Sequence, residues 1–168
     1  IILRVLAVIQ PWASLICNGY KCMEIRSYKT STLEEYIAIY ASRTLPKESD
    51  LKWIRTIFNL YPGICPVRDF QRNYTDPSRL PYGKILGKGM IYNCFKFESL
   101  VEFNTRFFEH LNPPKNYGRD IYGWEFVNVY ELKNGVPFKF QGSIVWSHVD
   151  DDKVDREVNN VDRPEHYI

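Results

Sequence analysis

The sequence lacks the features that place a chain in a membrane or outside the cell. No apolar run approaches the roughly 18 residues that span a bilayer, and the opening I-I-L-R-V-L-A-V-I is interrupted by Arg4. That opening has no basic n-region and no small-residue cleavage site, so it predicts a first strand rather than a signal peptide. The four cysteines, at positions 17, 22, 65 and 94, show no C-x-x-C spacing. We therefore expect free thiols, a cytoplasmic or nuclear protein and no membrane partner.

Histidine is also scarce, with only His110, His148 and His166 in the chain. None of them combines with another histidine or a cysteine at the spacing of a zinc site. Their positions likewise suggest no partner for a nucleophilic Cys22 or Cys94. The sequence therefore predicts no metal and no cofactor.

Charge is distributed unevenly along the chain. The net charge is +2, but residues 150–168 hold seven acidic and three basic residues, which leaves a net charge of +6 on residues 1–149. A basic body favours an anionic partner, although the same charge also serves solubility alone. We expect one domain over residues 1–149, followed by an acidic, flexible tail over residues 150–168.

Hydrophobic periodicity predicts an α+β fold, a mixed β-barrel of five to six strands with about three flanking helices. A turn is expected at Asn134-Gly135, and a bend or bulge at Gly87 and Gly89. Residues 62–83 resemble a loop too long for a compact domain, so they are functional, disordered or wrongly assigned. The expected strands are 5–9, 22–28, 36–41, 84–97, 123–132 and 143–149, and the expected helices are 11–19, one following Pro46, and 99–111.

Three charged residues, Lys21, Glu24 and Arg26, stand close together where the first helix gives way to a strand. Glu24 and Arg26 are two apart on a strand, so they share one face about 6.5–7 Å apart, and Lys21 can lean over it. A guanidinium offers a planar fork to phosphate or a base edge, and a carboxylate accepts from an exocyclic amine. The alternatives are that Glu24 only holds the cations in place, or that the three form solvated ion pairs worth at most ~1 kcal/mol.

These residues also carry a family resemblance. With Gly19 they spell G-x-K-x-x-E-x-R, which resembles the hallmark of the ASCH domain, the activating signal cointegrator homology module of the PUA-like superfamily. Four flanking segments extend the resemblance over residues 3–149: Q-P-W-A-S-L, Y-I-A-I-Y-A-S, Y-G-K-I-L-G-K-G-M-I-Y-N-C and Y-G-W-E-F-V-N-V-Y-E-L. It implies a PUA-like barrel with a cleft beside the first helix that holds RNA or a modified nucleobase.

Further residues are candidates for the rim of such a cleft. Trp12 is either a core aromatic or a stacking platform, and Gln10 either reads a base or begins the helix. Lys29 and Arg43 can extend the basic rim. In the segment 62–83 and just after it, cations alternate with aromatic rings. This pattern is typical of proteins that bind single strands without sequence preference; alternatively, the rings anchor a solvated loop to the body. The cations of interest there are Arg72, Arg79 and Lys84.

Three functions remain open from the sequence. The first is a non-catalytic module that binds RNA or DNA, including a modified base, and we expect this rather than an enzyme. The second, implied by the resemblance, is an amidohydrolase that deacylates acetylated cytidine with Lys21 as base. Glu24 stands where such enzymes have a threonine, and we expect it to raise the pKa of Lys21 and weaken that base. The third is a protein-interaction adaptor that uses residues 62–83 or the tail.

Overall fold

The computed structural model describes residues 1–141 and 146–154 of the chain. Six strands and five α-helices make up most of this part, together with two 3-10 turns, Pro77–Arg79 and Pro114–Asn116. The strands are β1 (Ile2–Val8), β2 (Met23–Arg26), β3 (Tyr36–Ala41), β4 (Lys84–Lys96), β5 (Tyr122–Pro137) and β6 (Trp146–Asp150). The helices are α1 (Trp12–Cys17), α2 (Glu48–Leu60), α3 (Arg68–Thr75), α4 (Leu100–Thr105) and α5 (Phe107–His110).

All six strands belong to one mixed sheet in the order β2-β5-β4-β3-β1-β6. The pair β1–β3 is parallel, whereas β1–β6, β2–β5, β3–β4 and β4–β5 are antiparallel. The edge strands β2 and β6 do not pair with each other within the described ranges, so the sheet stays open. The predicted α+β class and strand number are confirmed.

Helix α1 lies between the sheet and a second helical layer. Its residues Ala13, Ile16 and Cys17 pack on one face of the sheet, around the fully buried Trp124. On its other side, Leu15 packs against α2, α3 and the end of α5. A further cluster covers the opposite face of the sheet, because alternate residues of each strand point to opposite faces. This position of α1 places the loop that follows it, with Lys21, in the interior.

The turn predicted at Asn134-Gly135 is wrong, because β5 continues through these residues. Ile85 of β4 pairs with Val136 and Gly87 pairs with Glu131, so residues 132–135 of β5 stand opposite Leu86 alone. Gly135 has φ +67, which a bulge with a left-handed residue accommodates. The register shifts beside Gly87 and Gly89 confirm the bulges predicted in β4.

Of the three alternatives for the segment 62–83, the wrong assignment as a loop is confirmed, since the segment contains α3 and the 3-10 turn Pro77–Arg79. It is anchored by Tyr74, which is buried against Tyr20 and Phe58, and by the buried Leu80. The polar sequence of α3 hid its helical character, because one buried ring carries most of its packing. The aromatic anchor was one of the two alternatives for this segment.

The single helix predicted over 99–111 is two short helices with Arg106 between them. Ser99 caps α4 by accepting a hydrogen bond from Glu102 N at 3.1 Å, as the sequence indicates. The chain then bends at Leu111, which has φ +59. This bend turns the segment 110–112 towards Lys21.

The acidic residues after 149 begin inside the folded body. Lys88 Nζ contacts Asp151 Oδ1 at 2.7 Å, and Val154 is fully buried against the sheet. Residues 155–168, for which a flexible tail is predicted, lie outside the described residues, as do residues 143–145 of the last predicted strand. No helix in the described ranges is long and apolar enough to cross a membrane.

Candidate functional site

Lys21 is buried where α1 gives way to β2. The chain turns at Gly19, which has φ +86, and Lys21 N then donates to Leu15 O at 3.0 Å. The Lys21 side chain has no exposed surface. Its Nζ donates to His110 O at 2.6 Å, and it lies 3.7 Å from Glu24 Oε1 and 5.0 Å from the centre of the Trp12 ring. The ammonium group is thus surrounded by acceptors and a ring face.

Glu24 and Arg26 do share one face of β2, as their spacing predicts. Arg26 donates from Nε and Nη2 to Glu24 Oε2 at 3.2 and 3.0 Å. Its Nη2 also donates to Ala7 O at 2.8 Å, and its Nη1 donates to Tyr28 Oη at 3.0 Å. With Lys21 they form a partly enclosed network rather than solvated surface ion pairs, because Glu24 is only 7% exposed.

Burial has the largest effect on the pKa of Lys21. Desolvation lowers the pKa of Lys21 to about 8, and the nearby Glu24 only partly opposes it. Glu24 does raise this pKa, as the sequence predicts, but burial outweighs its effect. The sequence shows the carboxylate, but it does not show that the ammonium is removed from water.

Sequence reasoning missed the segment that holds Lys21, which comes from the connection between β4 and β5. His110 is fully buried, and its Nδ1 accepts from Asn112 N at 2.9 Å. The other ring nitrogen, Nε2, therefore donates to Phe103 O at 2.7 Å. Burial lowers the pKa of His110 to about 4, so the ring is neutral at pH 7. Asn112 Nδ2 donates to His110 O at 2.8 Å, the carbonyl that Lys21 also contacts.

No pattern in the sequence points to His110 and Asn112. They stand about 90 positions after the motif, and a lone buried histidine has no spacing signature. Leu111 between them adopts a left-handed conformation, and Asn112 Nδ2 and Lys21 Nζ both donate to His110 O.

A cavity of about 320 Å³ opens beside the network, and we call it the motif cavity. Glu24 and Arg26 form its charged wall, whereas Lys21 lies behind them and does not line it. The lining residues are Ala7, Val8, Ile9, Trp12, Glu24, Ile25, Arg26, Ser42, Thr44 and Asn112.

Trp12 lies between the hydrophobic core and the motif cavity. It packs, half-buried, against the two clusters on either side of α1, and its Nε1 donates to Asp50 Oδ2 at 3.3 Å. It also lines the motif cavity. The ring is thereby held in place at the edge of the cavity.

Gln10 does not line the motif cavity, and its side-chain amide is engaged within the fold. It is fully buried, and its Nε2 donates to Ser14 Oγ at 2.8 Å and to Pro81 O at 2.9 Å. Its Oε1 accepts from Ser14 N at 3.0 Å. The amide thus fixes the start of α1, which is the role of a helix-entry residue.

The remaining predicted cations do not line the motif cavity. Lys29 and Arg72 are exposed, and Arg43 is exposed between Ser42 and Thr44. Arg79 lines a second cavity of about 310 Å³, and Lys84 Nζ donates at 3.5 Å to Asn134 O in its wall. We call it the α3 cavity, and its lining residues are Ser14, Asn18, Asn73, Tyr74, Arg79, Pro81, Leu86, Glu131, Leu132, Lys133, Asn134 and Gly135.

The fold can be compared with known proteins. The chain matches no protein-family model and no curated protein. It is similar to the crystal structure of ASCH from Zymomonas mobilis, with a TM-score of 0.56, 12% identity and 93% of each chain covered. The match to a Ser-to-Ala variant of ZmASCH from the same organism has a TM-score of 0.56 and 12% identity and covers 94% of each chain. The match to a Tyr-to-Phe variant has a TM-score of 0.54 and 12% identity and covers 93% of this chain and 96% of that chain. The chain therefore has the fold of an ASCH domain.

Proposed function

We propose that the protein binds single-stranded nucleic acid and holds one nucleobase in the motif cavity. One observation carries the proposal: the Glu24–Arg26 pair forms the wall of a cavity of about 320 Å³ that Trp12 also lines. A volume near 300 Å³ is at the lower end of small-molecule sites, which suits a single base. The net charge of +6 on residues 1–149 supports an anionic partner.

The polar groups of the cavity leave specific positions for a ligand. A guanidinium has five N–H groups, and those of Arg26 make four hydrogen bonds, to Glu24, Ala7 and Tyr28. One Nη1 N–H of Arg26 therefore remains to donate to a carbonyl or ring nitrogen of a base. The hydroxyls of Ser42 and Thr44 add groups that both donate and accept.

Arg26 is well suited to this task because it is fixed before a ligand arrives. Its charge is matched by Glu24, and its Cζ lies 5.7 Å from the centre of the Trp124 ring. A ligand then loses little affinity to the ordering of the side chain. A free cation on the surface, such as Lys29, offers no such preorganisation.

The amidohydrolase alternative gains one feature and loses another. The lowered pKa of Lys21 suits a general base. Its Nζ, however, is buried, donates to His110 O and does not line the cavity, so a substrate there does not reach it. Binding without catalysis is the function that this geometry supports better.

The four free thiols suit a reducing compartment, the cytoplasm or the nucleus.

Fluorescence anisotropy tests the proposal with single- and double-stranded RNA and DNA over a salt series. We expect single strands to bind, with an affinity that falls as salt rises. Thr44→Trp fills the motif cavity from an exposed position, and we expect it to weaken binding about tenfold or more, since a lost base contact costs roughly 1–3 kcal/mol. Thr105→Trp, at an exposed position of α4, is the matched control and should bind normally.

Two results would contradict the proposal. One is an absence of binding to every polymer, after which free modified nucleosides, acetylated cytidine first, become the probes. The other is an equal loss of affinity in Thr44→Trp and Thr105→Trp, with both variants folded.

A further inference from the structure

We infer that the α3 cavity holds a second nucleotide of the same strand, which makes the binding site several nucleotides long. This inference rests on the proposed function and extends it beyond the motif. It starts from where the predicted cations lie, because Arg79 and Lys84 are at the α3 cavity and not at the motif cavity.

The α3 cavity lies beside an irregularity in the pairing of β4 with β5. Its outer wall is the bulge of β5, residues 132–135, which stands opposite Leu86 alone. Its opposite wall comes from α3 and the 3-10 turn, with Asn73, Tyr74 and Arg79. A regular pairing of β4 with β5 would remove the outer wall, so the bulge creates the space.

The cavity presents exposed polar side chains without a partner among the described residues. In the parts of the chain that the structure describes, no hydrogen bond or ion pair engages the side chains of Asn73, Glu131 or Lys133. Glu131 and Lys133 are exposed at the rim of the cavity, where a ligand can reach both side chains, and partial desolvation raises the pKa of Glu131. By contrast, the Glu24 carboxylate in the motif cavity is already paired with Arg26.

These groups match the parts of a nucleotide. The Glu131 carboxylate can accept from an exocyclic base amine, and Asn73 can both donate and accept at a base edge. Lys133 and Arg79 offer positive charge to a phosphate. Leu86, Leu132 and Pro81 give the apolar surface that the face of a base needs.

Helix α1 separates the two cavities and defines the path between them. Trp12 lines the motif cavity, whereas Ser14 and Asn18 line the α3 cavity. A helix with its side chains is roughly 10–12 Å wide. At about 3.4 Å of rise per nucleotide, a strand needs on the order of three nucleotides to pass from one cavity to the other.

Arg43 stands at the middle of that path. It follows Ser42 and precedes Thr44 of the motif cavity, and its guanidinium packs over Gly83, two residues after Pro81 of the α3 cavity. Its side chain is exposed. We assign to Arg43 the contact with the phosphates that connect the two bound nucleotides.

A length series of single-stranded oligonucleotides of two, four, six and eight nucleotides tests the inference. We expect affinity to rise between two and six nucleotides by at least tenfold and then to level off. Glu131→Gln and Lys133→Met should each weaken hexamer binding about three- to tenfold and leave dinucleotide binding unchanged. Lys115→Met, which removes a charge from another exposed position, is the control for long-range electrostatics.

The outcomes separate this inference from the proposed function. If Lys133→Met and Lys115→Met weaken the hexamer equally, or if affinity does not depend on length, the second subsite is refuted while the motif cavity stands. If Thr44→Trp leaves the dinucleotide and the hexamer unaffected, the motif cavity is refuted instead. Melting temperatures of all variants confirm that each loss reflects binding and not unfolding.

Discussion

The buried Lys21 makes a quantitative prediction about how stability depends on pH. Its pKa in the folded protein is about 8, whereas an unfolded lysine titrates near 10.5. Between these values the unfolded chain binds a proton that the folded chain has released. The free energy of unfolding therefore rises with pH across this window as far as Lys21 is concerned.

The size of the effect follows from the same two values. Between pH 7 and pH 9 the contribution of Lys21 should increase the free energy of unfolding by about 1 kcal/mol. Cysteine and tyrosine titrations contribute as well, so the comparison protein is Lys21→Met, which keeps the chain length of the side chain and loses the amine. Urea unfolding of both proteins at half-unit steps from pH 7 to pH 9 gives the difference curve.

We expect the free energy of unfolding of the wild type, minus that of Lys21→Met, to increase as pH rises. A flat difference curve would show that Lys21 titrates near its ordinary value, and that Glu24 and His110 O fully compensate its burial. That result would refute the burial argument.

Three further predictions concern single positions. Gly87→Ala should lower the free energy of unfolding by roughly 1–3 kcal/mol in urea melts, since the new Cβ would lie 2.8 Å from Tyr130 O, a backbone atom. The free energy of unfolding should fall as pH drops from about 6.5 towards 4, because His110 binds a proton in the unfolded chain and not in the folded chain. Urea melts of the wild type and His110→Gln over this pH range should show this contribution only in the wild type. Ser99→Ala should lower the free energy of unfolding by about 1 kcal/mol in thermal melts, because it removes the cap of α4, whereas Ser99→Thr should retain most of the stability that the cap provides.

Much of the sheet could be predicted from the sequence because its strands are rich in apolar and β-branched residues. The strand at Tyr36–Ala41 matches the prediction at both ends, and β4 matches within one residue. The mistake at Asn134-Gly135 has a physical reason. A left-handed glycine serves equally in a hairpin turn and in a bulge, and only the pairing of the neighbouring residues distinguishes them.

The candidate site was predictable only in part. The spacing of Glu24 and Arg26 predicts their contact, since period-two alternation fixes which residues share a face. The burial of Lys21 could not be predicted, because it depends on a carbonyl 89 positions away. Because Lys21 is buried, we expect its truncation to lower stability as well as any affinity, whereas solvated ion pairs, one of the alternatives from the sequence, would predict little loss of stability.

The hydrogen bond from Lys21 to His110 O also has a consequence for the order of events during synthesis. The motif leaves the ribosome early, but the carbonyl that receives its lysine, and the Asn112 amide that shares it, emerge some 90 residues later. Closing so long a loop must precede that contact. A nascent chain that stops before residue 110 therefore carries the whole motif without its buried lysine in place, and the Lys21 network forms only after most of the domain has been translated.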